Sequence, residues 1–148
     1  MTFVYDAFRW SEAGLFLAAA ILKIHSPEEF WYALGRVSWL TGGWAPFAGA
    51  ALISLELLAA ILLGVRSTAR LGAWLASGLF AIFFSYAFWM QLRGMEGGCG
   101  CFPGARGPLS SADLMLLDLV GLAVSILLIR SRATVRGTTI APHPIPGR

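Results

Sequence analysis

Trp44 to Gly64 reads WAPFAGAALISLELLAAILLG, and its only charged residue is Glu56. A helix needs about 20 apolar residues to cross the hydrocarbon layer of a bilayer. This stretch meets that length, and its one carboxylate falls near the middle. A second stretch, LGAWLASGLFAIFFSYAFWM from Leu71 to Met90, meets it with no charge at all. Two further segments flank them: WSEAGLFLAAAILKIHS, roughly Trp10 to Ser26, and ADLMLLDLVGLAVSILLI, Ala112 to Ile129. Both are shorter or carry charge. Together the four predict an all-α protein, a bundle of four transmembrane helices.

Composition agrees. Of 148 residues, 57% are hydrophobic and only 13% charged, with a mean hydropathy of +0.72. Soluble domains carry about 25% charged residues. The net charge of +3 comes without Lys/Arg clusters interleaved with polar residues, which excludes a nucleic-acid partner and leaves the lipid bilayer. The expected organisation is one membrane domain over 8–130 and a disordered, basic, proline-rich tail over 131–148. A cleaved signal peptide does not fit the first segment. Asp6 and Glu12 stand where a basic region belongs, and Lys23 and His25 where small residues belong.

Between the first two spans, PEEFWYALGRVSWLTGG (27–43) repeats apolar residues at helical spacing: Phe30, Trp31, Leu34, Val37 and Leu40. Pro27 suits a first turn and Gly42–Gly43 an end. This predicts a short amphipathic helix on the outer face, with Trp31, Tyr32 and Trp39 at the water–lipid boundary. Ser110-Ser111-Ala112-Asp113 is a capping box with Asp in place of Glu, and it opens the fourth span.

Orientation follows from the basic residues. One side of a four-span chain holds Arg9, Arg66, Arg70, Arg130, Arg132 and Arg136, and the other Arg36, Arg93 and Arg106, with Lys23 at the end of the first span. Both termini are therefore expected in the cytoplasm, with the loop around residues 97–104 outside. In a bacterium this is a multi-pass protein of the inner membrane.

That loop, GGCGCFPG, holds the chain's only two cysteines, Cys99 and Cys101. Exposed thiols on the outer side meet an oxidising compartment. A Cys-Gly-Cys disulfide closes a tight ring, which the glycine tolerates. A strained, exposed pair is labile and more oxidising, and Arg93 and Arg106 nearby favour a thiolate. Cys99 and Cys101 are thus candidate redox residues of a membrane thiol–disulfide oxidoreductase, with Phe102 seating the loop on the membrane. A pair of thiolates also suits a soft metal such as Cu(I) or Hg(II), but lacks the further ligands of a structural zinc site. A metal carrier and a non-catalytic scaffold remain alternative readings.

The intramembrane charges are the supporting candidates. A bare carboxylate at Glu56 costs several kcal/mol in the bilayer core, so it must be neutral, paired or beside water. Lys23 is the candidate partner, although Glu56 falls about 18 Å below the start of its helix and Lys23 only about a turn below the surface. The pair reads either as a proton or quinone-site group or as a structural link between helices. Asp118, about a turn below Asp113, reads more readily as a hydrogen-bonding group. His25 is placed to act as a base for a thiol or simply to sit at the interface.

These stretches resemble the MauE branch of the MauE/DoxX-like membrane proteins. GLFLAAAILKIHSPEEF (14–30) is similar to that family's first helix, LELLAAILLGV (55–65) to its second with the embedded Glu, and CGCFPG (99–104) to its CGCFG signature. PLSSADLMLLDLVGL fits the start of its fourth. Pro103 is an insertion in the family's pattern. The resemblance implies a membrane accessory protein that supports maturation of a disulfide-bearing periplasmic client, in methylamine utilisation, together with a thioredoxin-like periplasmic partner. It also implies kinship with bundles that pass electrons from thiols to a quinone. Those use two cysteine pairs and this chain has one, so the pair either meets a quinone directly or exchanges only with partner proteins.

Overall fold

The computed structural model describes residues 2–35, 43–93 and 111–137. Among these there are five helices and no strand: α1 (Thr2–His25), α2 (Pro27–Gly35), α3 (Ala45–Gly64), α4 (Ala69–Leu92) and α5 (Ser111–Gly137). α3 and α4 are each long and apolar enough to cross a membrane. α1 begins well before Trp10, and α5 runs past Ile129 into the stretch expected to form the tail. Residues 138–148 lie outside the described residues.

The interior stripe of each helix explains the packing. In α1, Glu12, Phe16, Ala19 and Lys23 are buried at the three- and four-residue spacing that puts side chains on one helix face. Leu17, Ile21 and Ile24 face outward. α3 buries Gly49, Glu56, Ala59, Ala60 and Leu63. α4 turns a seam of small residues inward, Ala69, Gly72, Ala73, Ala76 and Ala87, with Leu79, Phe80 and Phe83 among them. Small residues let helix backbones approach closely. At Gly72 the approach is so close that a Cβ would lie 2.7 Å from the Leu63 backbone nitrogen.

α1 packs on α3, α3 on α4 and α4 on α5, with a lighter seam between α1 and α5 closing the ring. The turn from α3 to α4 is short. The Thr68 hydroxyl donates to the Leu62 carbonyl at 3.1 Å, and the Val65 amide caps the α3 ladder at Ile61. Gly43 precedes α3 with φ +92°, a conformation that glycine adopts without a Cβ clash, and proline stands in the first turn of α3 where its missing N–H costs nothing.

α2 starts at Pro27, as the sequence predicts, and packs on α3 and α1. Phe30 is buried while Trp31 and Tyr32 are exposed, and the Phe30 and Trp31 rings flank Gly49 of α3. Positions 36–42 of the expected helix lie outside the described residues.

Candidate functional site

Lys23 comes from the last turn of α1 and Glu56 from the middle of α3. Their side chains meet, Nζ to Oε1 at 2.5 Å, and both are 0% exposed. Their different depths are reconciled by side-chain direction. Helical side chains lean toward their own N-terminus, and α1 and α3 run antiparallel. Lys23 therefore leans inward from the bundle end while Glu56 leans out to meet it. The ammonium also lies over two aromatic faces, 5.1 Å from the centroid of Phe83 and 5.4 Å from that of Phe30. Both are within cation–π range. The second carboxylate oxygen, Glu56 Oε2, is buried without a hydrogen bond among the described residues.

Asp118 of α5 joins this pair. It is buried and lines a small cavity together with Lys23, Glu56, Phe16, Phe80 and Phe83. About 20 Å³ of the cavity is open to the centre of a water molecule, which is room for about one water. The tertiary structure thus brings three of the candidate residues to one cavity.

The remaining candidates lie elsewhere. His25 is exposed at the end of α1, where a basic residue complements the helix dipole, and it does not line the cavity. Cys99, Cys101 and Phe102 lie outside the described residues. They belong to the connection from α4 to α5, whose two anchoring ends sit where α1 ends and α3 begins.

Further polar contacts escaped the sequence reading. Ser125 of α5 donates to Glu12 Oε1 at 2.9 Å, tying α5 to α1. Glu12 Oε2 is buried without a partner among the described residues. Glu12 shares a stripe with Phe16, Ala19 and Lys23, and Ser125 is two turns from Asp118, so helical spacing alone signals that both face inward. Nearer the opposite end, buried Arg9 donates through Nη1 to the Leu63 and Gly64 carbonyls, each at 3.0 Å. These are orphan acceptors at the C-terminus of α3, where positive charge is favourable. Arg9 also lies 3.4 Å from Asp6, and Asp6 pairs with Arg66 on the α3–α4 turn. The hydrogen bond to Asp6 raises the pKa of the exposed Arg66 guanidinium.

Among the described residues, no group of three or more His, Cys, Asp or Glu side chains could hold a metal ion. Described residues that are all helical or in turns, bury Arg9, Glu12, Lys23, Glu56 and Asp118 between the helices and turn apolar side chains outward are built for lipid, and the class they define is a helical membrane protein. Within that class, the chain belongs to the MauE family: the sequence model for methylamine utilisation protein MauE matches residues 1–131. No curated protein and no solved structure matches the chain.

Proposed function

We propose that this protein is a four-span membrane thiol–disulfide redox protein whose Cys99–Cys101 pair serves a periplasmic client or a thioredoxin-like partner. The observation that carries this reading is a C-x-C pair on the α4–α5 connection of a MauE-family chain.

The four-span part rests on where the charges are. α1 and α5 carry charges that weaken them as spans on composition, yet Arg9, Glu12, Lys23 and Asp118 are all buried in the bundle. The faces they leave outward are apolar: Leu17, Ile21 and Ile24 on α1, and Leu116, Leu119, Val120 and Leu127 on α5. Intramembrane ions face the bundle interior in this way. The excess of arginine at the end holding Arg9, Arg66 and Arg70 supports cytoplasmic termini and an outward cysteine loop in the inner membrane.

In the exchange itself, a thiolate of the reduced pair attacks a partner disulfide, forming a mixed disulfide and releasing one partner thiolate. The second cysteine then resolves it, leaving Cys99–Cys101 oxidised and the partner reduced. The reverse sequence oxidises a partner dithiol. Lys23, Glu56 and Asp118 support the bundle beneath the loop, and Phe102 seats the loop.

The test is the redox state of the two thiols in intact cells, read as an alkylation mass shift and titrated against glutathione. A pair oxidised in cells and reversibly reduced is the expected result, and single Cys→Ser variants then trap a mixed disulfide. Thiols that remain reduced in cells and trap no mixed disulfide in the single variants would sink the redox reading. Protection from alkylation only when copper or mercury is added would replace it with the soft-metal carrier.

A further inference from the structure

The Lys23–Glu56–Asp118 cavity holds two acids and one base, all buried. With every group ionised, the site has a net negative charge. Such a charge in an apolar, membrane-like interior costs several kcal/mol, so one of the three groups gives up its charge. Lys23 is not that group. Its ammonium has a carboxylate at 2.5 Å and two aromatic faces against it, and both contacts favour the charged form. Glu56, in direct contact with the ammonium, is the acid whose charge is compensated. Asp118 is left over.

Hydrogen-bond accounting points the same way. Glu56 Oε2 is fully buried and lacks a donor among the described residues. An ionised Asp118 could only accept, leaving the three N–H bonds of Lys23 as donors for both carboxylates, and none of them serves Glu56 Oε2. A neutral Asp118 is itself a donor. The cavity between them admits one water, enough to bridge the two acids. A metal ion in the same place would be repelled by Lys23.

We propose that this cavity is a proton-binding site, in which Asp118 carries a dissociable proton and donates it to Glu56 Oε2, directly or through one water, beside the charged Lys23. The occupancy is one proton shared by two acids. Moving it from Asp118 to Glu56 transfers the ion pair from Glu56 to Asp118, so the proton can pass between α5 and α3 without a change in the charge of the bundle. Phe16 and Phe80, with ring centroids 4.9 Å apart, line the site, and Glu12 and Ser125 are not among its lining residues. The inference needs the burial of the three groups and not the thiol chemistry, so a Cys99→Ser/Cys101→Ser protein should behave identically.

The experiment is infrared spectroscopy of the purified full-length protein at neutral pH, with the carboxyl carbons of aspartate labelled with ¹³C. The chain has three aspartates, Asp6, Asp113 and Asp118. Asp6 lies between Arg9 and Arg66 and Asp113 is exposed, so both absorb as carboxylates. The expected result is one isotope-shifted C=O band of a protonated carboxylic acid per chain. It shifts again in D₂O and disappears in Asp118→Asn. It also disappears in Glu56→Gln, because Asp118 then ionises to pair with Lys23. Labelled wild-type protein showing only carboxylate bands would overturn the proposal, and this reading needs no variant to fold. So would a protonated band that survives Glu56→Gln unchanged.

Discussion

Lys23 and Glu56 give up all their water to meet inside the bundle, so the cost of separating them depends on which one is removed. Lys23→Met leaves two buried acids and no cation. Breaking a buried pair in this way costs about 3–5 kcal/mol. Glu56→Gln leaves Lys23 with Asp118 lining the same cavity, so a carboxylate remains for the ammonium. Its cost is smaller, on the order of 1–2 kcal/mol, comparable to one charged hydrogen bond. The double variant Lys23→Met/Glu56→Leu removes both charges and is more stable than Lys23→Met alone. Thermal unfolding of the detergent-solubilised variants measures all three. Equal losses for Lys23→Met and Glu56→Gln would show that Asp118 does not stand in as a partner.

Helix against helix, α4 and α5 meet tightly at one ring. A Cβ built at Gly121 would overlap the Phe80 ring, and Phe80 is itself held against Phe16 of α1. The ring thus sits between α1 and α5 with nowhere to move. Gly121→Ala is expected to destabilise by about 1–3 kcal/mol, the usual range for overpacking, despite the better helix propensity of alanine. Phe80→Leu in the same chain should recover much of that loss, since the atoms met by the new methyl are those of the ring. Melting temperatures of the single and double variants give the coupling between the two positions. Additive effects would mean that α5 had shifted away from α4 instead of clashing with it.

For the molecule as a whole, the alternation of α1, α3, α4 and α5 places the α3–α4 turn at one end and the C-terminus of α4 and N-terminus of α5 at the other. In a four-span protein these ends face opposite sides of the membrane. Native Cys99 and Cys101, once reduced, should react in intact cells with a membrane-impermeant maleimide. A cysteine at Ser67 in a Cys99→Ser/Cys101→Ser background should react only after the cells are lysed. Labelling of both positions in intact cells would rule out this topology. Ser67 is exposed on the short α3–α4 turn, so its replacement perturbs no packing.

The sequence by itself determined the all-helical class, the two apolar spans of α3 and α4, the start of α2 at Pro27 and the family. Each of these depends on a run or spacing of residues along one segment: uninterrupted apolar length, 3.6-residue periodicity, a proline in a first turn, a short motif. The charged helices were harder to read. Arg9, Glu12, Lys23 and Asp118 weaken α1 and α5 as spans when residues are simply counted, because a count does not know which way a side chain faces. Only the tertiary structure decided what these groups meet on other helices: Arg9 the end of α3, Glu12 Ser125, Lys23 Glu56, and Asp118 the cavity that this pair lines. The depth of Glu56 and Lys23 shows the same limit. Rise per residue along separate helices sets them apart, and the opposing lean of side chains on antiparallel helices brings them to 2.5 Å. The cavity with Asp118 is likewise legible only after packing, since its walls come from α1, α3, α4 and α5 at once and no sequence spacing links them.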